Sequence, residues 1–250
     1  MGGRDEVLAE VARAVAAVSR PHPVRVAIDG NSAAGKSTFG DELAAAVRAV
    51  TSRPVIRVGL DWFKRAVSLR TAYPQDSPDS YYLDSWDYPA IREQLLEPLG
   101  PGGGRRYRDA IMNLPATEPV DGPVRTAADD AILLADGAFL QRAELDAYWD
   151  LRIYLAIGFD EVLRRGIVRD QAWMGDAAAA EHRYRTKYIP GEQRYVDEVR
   201  PHERADLVVD NTDFAAPLLV RGDPALRCAN LQVPVMPAIE RYTRSYRSAA

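Results

Sequence analysis

The chain has 250 residues, 47% hydrophobic and 27% charged, which suits one α/β domain with a full core. A formal net charge of −4 argues against a broad nucleic-acid or membrane surface, since those partners are held by clustered Lys and Arg, so any anion must be bound at a local site. The single cysteine, Cys228, allows neither an internal disulfide nor a cysteine-based metal cluster; this fits a reducing cytosol and a cytoplasmic location, with a buried structural thiol as its expected role.

Residues 1–20 carry Asp5, Glu6 and Glu10 among their apolar positions and lack the unbroken hydrophobic stretch of a secretory signal. No run reaches the length of a membrane span. Val7, Leu8, Val11, Val15 and Val18 instead recur at helical spacing, predicting an amphipathic helix against the sheet edge or a partner, ended by Pro21 and Pro23.

Val24-Arg25-Val26-Ala27-Ile28-Asp29 is a β-branched run that reads as a buried strand, and residues 39–50 read as a helix. Between them, Gly30-Asn31-Ser32-Ala33-Ala34-Gly35-Lys36-Ser37-Thr38 fits GxxxxGK[ST], the phosphate-cradling loop, in the strand, loop, helix context the motif requires. A random chain of this length gives the pattern roughly one time in a hundred, and the flanking elements set a chance match aside. Gly30 and Gly35 let the backbone turn and approach a ligand closely, so that successive N–H groups converge on phosphate oxygens at a helix N-terminus. Lys36 would reach the β- and γ-phosphates of ATP, and the Ser37 hydroxyl would complete the shell of a Mg²⁺ ion.

Residues 54–60 form a second candidate strand, which delivers Asp61-Trp62-Phe63-Lys64 at its carboxyl end, where ligands sit in open parallel sheets. A carboxylate there can accept a proton from a hydroxyl or orient Mg²⁺ water; its plain alternative is a helix cap or surface turn. From 64 to 88 periodicity disappears, predicting a long loop or a set of short pieces that Tyr81, Tyr82, Trp86 and Tyr88 keep from disorder. Residues 89–99 read as a helix with Pro89 at its first position and Asp87 or Tyr88 near the cap, and 101–104 as a flexible turn. Residues 105–126, with Tyr107 and several prolines, suit a small β excursion.

Residues 130–137 are an apolar strand ending in Asp136-Gly137, the layout of a Walker B carboxylate that positions Mg²⁺. Residues 151–157 are a further buried strand, and 160–170 read as a helix on which Arg165 and Arg169 share a face. Facing phosphates they would stabilise charge on a transferred group; facing solvent they are an ordinary charged surface. Residues 172–180 suit a mobile lid. Arg183, Arg185 and Lys187 then make either a solvated helix face, the commoner use of such a run, or a clamp over bound anions. Residues 205–211 are the last sheet strand, 212–237 are irregular, and 237–248 suit a short amphipathic helix. With no repeat, linker or low-complexity tract, 1–250 is expected to be one domain comprising an N-terminal helix (about 1–20), a lid region (about 171–188) and a C-terminal extension (about 212–250).

Together these pieces resemble the uridine kinase branch of the P-loop kinases, relatives of phosphoribulokinase and pantothenate kinase. The likeness runs from about residue 24 to 211. It rests on the loop at 28–38, Asp61-Trp62-Phe63 for an Asp-x-Phe, Trp86-Asp87-Tyr88-Pro89 for Phe-Asp-His-Pro, and Tyr107-Arg108-Asp109 for Tyr-Asp-Phe. It continues through Ala135-Asp136-Gly137, residues 164–170 for Arg-Arg-x-x-x-Arg-Asp, and Ala205-Asp206-Leu207-Val208-Val209. The pattern departs at Met112-Asn113, where uridine kinases place a His, and at Met174-Gly175-Asp176, where they have Arg-Gly-Arg.

The resemblance implies a three-layer α/β/α sandwich with a parallel central sheet, and an ATP- and Mg²⁺-dependent kinase acting on a small alcohol, with a nucleoside as the leading acceptor. It makes Asp61 the general base, has Asp87 and Tyr107 contact ribose and base, and puts Arg165 and Arg169 in the phosphate-handling helix and lid, with Arg183 supplying further charge. Ser37, Asp61 and Asp136 would serve the metal. Another alcohol, such as a pantothenate-like or sugar acceptor, is the alternative within this class. A regulatory nucleotide switch is the alternative outside it, opposed by the lack of an Asn-Lys-x-Asp run. Nucleic-acid and membrane partners are not expected, and a homo-oligomer is compatible with this reading.

Overall fold

The computed structural model describes residues 3–221; Cys228 and the helix expected at 237–248 lie outside them. In chain order the elements are α1 (Arg4–Ala17), β1 (Val24–Gly30), α2 (Lys36–Val50), β2 (Val55–Gly59), α3 (Pro78–Asp84), α4 (Tyr88–Ile91), β3 (Arg106–Tyr107), β4 (Arg125–Thr126), β5 (Ile132–Asp136), β6 (Leu151–Ala156), α5 (Phe159–Met174), α6 (Ala177–Arg183), α7 (Ile189–Val199), α8 (Pro201–Arg204), β7 (Leu207–Asp210) and β8 (Leu218–Arg221). Six strands form one sheet in the order β2-β5-β1-β6-β7-β8, parallel throughout except for the β7–β8 pair.

Every residue of β1 is buried, as a central strand covered on both faces must be. Alternate side chains serve two cores. Val24, Val26 and Ile28 of β1 join Ile132 and Leu134 of β5 and meet Val11, Phe39, Leu43 and Val162 from α1, α2 and α5. Ala27, Leu133 and Ala135 face the opposite way, onto Tyr81, Ile91, Leu95 and Tyr195 from α3, α4, its continuation and α7. The result is the expected three-layer sandwich around a mostly parallel sheet.

The chain passes from β5 to β6 on opposite sides of β1, so the carboxyl end of β1 opens a crevice of the kind that receives ligands in such sheets. The glycine loop emerges there and leads directly into α2, whose first residue is Lys36. α1 buries Val7, Leu8, Val11 and Val15 and packs chiefly on α2, with β8 beside it. β8 itself falls in the stretch read as irregular; its antiparallel pairing has a register shift between Val208 and Val209.

The 64–88 stretch resolves into short pieces, among them a 3₁₀ turn at Val67–Leu69 and α3, whose cap is the Ser77 hydroxyl accepting the Ser80 N–H at 3.1 Å. Asp87 caps α4 by accepting the Ala90 N–H at 3.0 Å, and the helix runs on through Arg92–Leu96 as a π turn. β3 and β4 form the expected separate ribbon. The stretch read as a lid is mostly helical: α5 continues to Met174, Gly175 breaks it, and the Asp176 carboxylate caps α6 at the Ala179 N–H (2.8 Å).

Candidate active site

A cleft of about 680 Å³ opens at the carboxyl end of the parallel strands, bounded by the glycine loop, Asp61, Asp136, and α5 with the helical segment after it. The loop shape is fixed by its glycines. Gly30 has φ +152° and a Cβ there would lie 2.6 Å from the Leu155 carbonyl oxygen, while Gly35 sits in the left-handed region at φ +85° immediately before α2. Ala33 also adopts positive φ (56°). Asn31 is buried, and the Ala34 carbonyl accepts from Asn211 Nδ2 at 2.7 Å, which ties the loop to the end of β7. Lys36 Nζ folds over the loop and donates to the Gly30 and Asn31 carbonyls at 2.9 and 2.8 Å. Burial pulls the Lys36 ammonium below its usual value, opposed by the carboxylates of Glu192, Asp136, Asp29 and Asp61.

Ser37 Oγ donates to Asp136 Oδ2 at 2.6 Å, so the first turn of α2 and the end of β5 bring two hard oxygen donors together. The other Asp136 oxygen is held by Arg57 Nη1 at 2.7 Å, and Arg57 Nε reaches Asp41 at 3.0 Å. Oxygen donors of this kind at the mouth of a phosphate loop fit Mg²⁺, which takes one or two protein oxygens and completes its octahedron with phosphate and water. Among the described residues no group of three or more His, Cys, Asp or Glu forms a metal cage.

Asp61 lies in the 3₁₀ turn Leu60–Phe63 that follows β2 and caps no helix; its carboxylate is more than half exposed, lines the cleft and pairs with Lys64 at 3.2 Å. Arg165 and Arg169 both line the cleft, yet each is already engaged. Arg165 pairs with Glu161 and donates to the Asn211 and Thr212 carbonyls at 3.0 and 2.7 Å. Arg169 pairs with Asp170 (2.7 Å) and donates to the Tyr184 hydroxyl at 3.0 Å. Arg183 lines the cleft and pairs with Asp76 at 3.2 Å.

Asp87 and Tyr107 stand apart from the cleft lining. Asp87 is spent on the α4 cap, and Tyr107 is buried in the β3–β4 ribbon. The structure thus brings together the loop, Ser37, Asp61, Asp136, Arg165, Arg169 and Arg183, and leaves those two outside.

Sequence reasoning missed two residues behind this constellation. Glu192 on α7 is fully buried, accepts the Ser32 N–H at 2.7 Å and the Tyr81 hydroxyl at 3.2 Å, and leaves Oε2 without a partner. Burial raises its carboxyl above the usual range, against its bonds to Ser32 and the nearby Lys36. The signal was present: Glu192 shares the inward face of α7 with Tyr195 and Val196, an acid where an apolar residue belongs. Arg57 is the second, a charge inside a strand run and so a candidate for a buried partner.

Comparison with known proteins agrees with the fold. No family model and no curated protein matches the sequence. Among solved structures, a possible uridine kinase from Bacillus stearothermophilus superposes with a TM-score of 0.62 at 19% identity over 82% of this chain and 97% of that one. A protein proposed as a fructose transport system kinase from Silicibacter sp. TM1040 gives 0.63 at 21% identity, over 79% and 94%. The YGR205w protein gives 0.55 at 10% identity, over 86% and 94%. The chain therefore has the P-loop α/β fold of these structures, and at such identities the likeness is one of fold.

Proposed function

We propose that the protein is an ATP- and Mg²⁺-dependent kinase, a single catalytic domain that transfers the γ-phosphoryl group to the hydroxyl of a small molecule. The observation that supports it most is that one cleft is walled by Lys36, by the Ser37–Asp136 pair and by Asp61. Loop amides and Lys36 hold the triphosphate, while Ser37 and Asp136 hold the metal side. Mg²⁺ bound there by Ser37 and Asp136 would neutralise phosphate charge as it develops. Asp61 takes the proton of the acceptor hydroxyl as its oxygen bonds to the γ-phosphorus. The bond from that phosphorus to the bridging oxygen breaks, and ADP leaves with the electron pair. Arg165 and Arg169, once released from Glu161 and Asp170, can meet the charge on the transferred group.

The resemblance puts a nucleoside first among acceptors. Asp87 and Tyr107, the residues it assigns to ribose and base, do not line the cleft, so no contact seen here favours a nucleoside over another alcohol.

ADP release measured with and without a panel of alcohols tests the reading. One acceptor should stimulate release at least tenfold, whereas acceptor-independent turnover would support a nucleotide switch instead. Asp61→Asn should lower transfer by at least about a hundredfold with ATP affinity within about twofold. Its ion pair with Lys64 is an exposed one worth under about 1 kcal/mol, so the fold survives the change. Transfer that persists in this variant would overturn the base assignment.

A further inference from the structure

The cleft wall that carries Asp61 continues through residues 64–76 and is completed by the helical stretch 183–188. It presents Lys64, Arg70, Arg183 and Lys187 to the cleft. Lys64 and Arg183 have carboxylate partners, Asp61 and Asp76. Arg70 and Lys187 have only carbonyls: Arg70 Nε donates to the Arg65 carbonyl at 2.8 Å, and Lys187 Nζ to that of Gln75. Arg70 Nη2 is buried and makes no hydrogen bond. Burial lowers both groups from their usual values, and neighbouring cations add to the lowering, Arg65 for Arg70 and both Arg183 and Arg70 for Lys187. The opposing acids are already engaged, Asp84 by Arg65 and Asp76 by Arg183. Two half-buried cations without a carboxylate of their own, one of them with a buried donor left open, gain free energy when an acceptor arrives.

Their place in the cleft says which ligand supplies it. The triphosphate site lies at Lys36 and Ser37. Tyr81, whose hydroxyl is 3.1 Å from Ser32 Oγ, and Tyr188, packed edge-on to it at 4.9 Å and next in sequence to Lys187, line the cleft from the loop toward this wall. A molecule that presents its hydroxyl to Asp61 extends along the cationic side.

Resting on the kinase reading, we propose that the phosphate acceptor is an alcohol that itself carries an anionic group, a carboxylate or a phosphate, received by Arg70 and Lys187. A neutral nucleoside would leave both cations uncompensated. A planar guanidinium with a free edge suits bidentate recognition of either anion.

Matched acceptors test this: glycerol against glycerate and glycerol 3-phosphate, ribose against ribose 5-phosphate, with uridine as the neutral nucleoside. An anionic member should exceed its neutral counterpart at least tenfold in kcat/KM, and the better of the carboxylate and phosphate arms identifies the group. Arg70→Gln and Lys187→Gln should each raise KM for that acceptor at least tenfold and leave KM for ATP within twofold. Preference for a neutral alcohol, or an effect on KM for ATP alone, overturns the proposal. If none of these acceptors reacts, the kinase reading loses its support, and the anion site is read separately. Inorganic phosphate is titrated calorimetrically into protein saturated with Mg²⁺ and a non-hydrolysable ATP analogue. Binding weakened at least fivefold in both variants upholds the site; no binding, or binding indifferent to them, overturns it.

Discussion

Gly166→Ala sets two opposing effects against each other at one position of α5. Helix propensity alone favours the substitution by about 1 kcal/mol. Packing opposes it, because a Cβ at residue 166 would lie 2.2 Å from Cζ of Tyr184 and 2.5 and 2.6 Å from its Cε atoms. The ring must retreat by more than about 1 Å to reach ordinary contact distance. Tyr184 is fully buried in the native packing, and overpacking of this kind costs about 1–3 kcal/mol. The retreat also breaks the bond from the Tyr184 hydroxyl to Asp170 (2.6 Å), a charged acceptor, worth about 1.5–3 kcal/mol. The net expectation is a loss of about 1.5–5 kcal/mol. At a loss of about 3 kcal/mol, Tm falls by roughly 6–12 °C for a chain of this size. The variant should also lose activity, because Arg169 is bonded to the same hydroxyl and to Asp170. Urea denaturation followed by circular dichroism measures the stability change. A variant as stable as the parent, or more stable, would show that propensity outweighs the contact and refute the packing argument.

Two further expectations concern charge. Arg57→Gln removes the cation from one oxygen of the buried Asp136 carboxylate, and breaking such a pair should cost about 3 kcal/mol in urea denaturation, with part recovered on adding Mg²⁺ and nucleotide; unchanged stability would dismiss the pair as structural support. Burial holds His202 below its ordinary value, with Glu203 opposing and Arg221 and Arg200 adding to the effect. The unfolded chain therefore takes up the proton first as pH falls below about 6.5. The contribution of His202 is complete above that pH and declines as pH drops through the folded-state value, by at most about 1.4 kcal/mol per pH unit. Tm recorded from pH 7.5 to 5.5 should fall less steeply in His202→Gln; identical slopes would remove His202 as the cause.

The readable parts of the sequence were those where one local rule decides the structure. The parallel strands β1, β5 and β6 are buried on both faces and so stand out as apolar runs, and the loop motif needs its residues in a fixed order. The acid at the end of β5 followed from the same logic. β8 did not, since an exposed or half-buried edge strand carries little apolar pattern. Asp87 was legible as a cap from Pro89 behind it, and that local role is the one it plays. Glu192 and Arg57 were harder to find because their roles depend on partners 160 and 79 positions away, which only the folded chain brings near.

The burial of Glu192 beneath the glycine loop limits how the cover over the cleft can move. Downstream of the cover, α7 is pinned to the Ser32 amide and the Tyr81 hydroxyl; upstream, α5 belongs to the sheet's own core. The span between Gly175 and Ile189 is thus a bridge with a third pier at midspan, where Tyr184 is fully buried and bonded to Asp170, so it is clamped along its length rather than hinged to swing outward from one end.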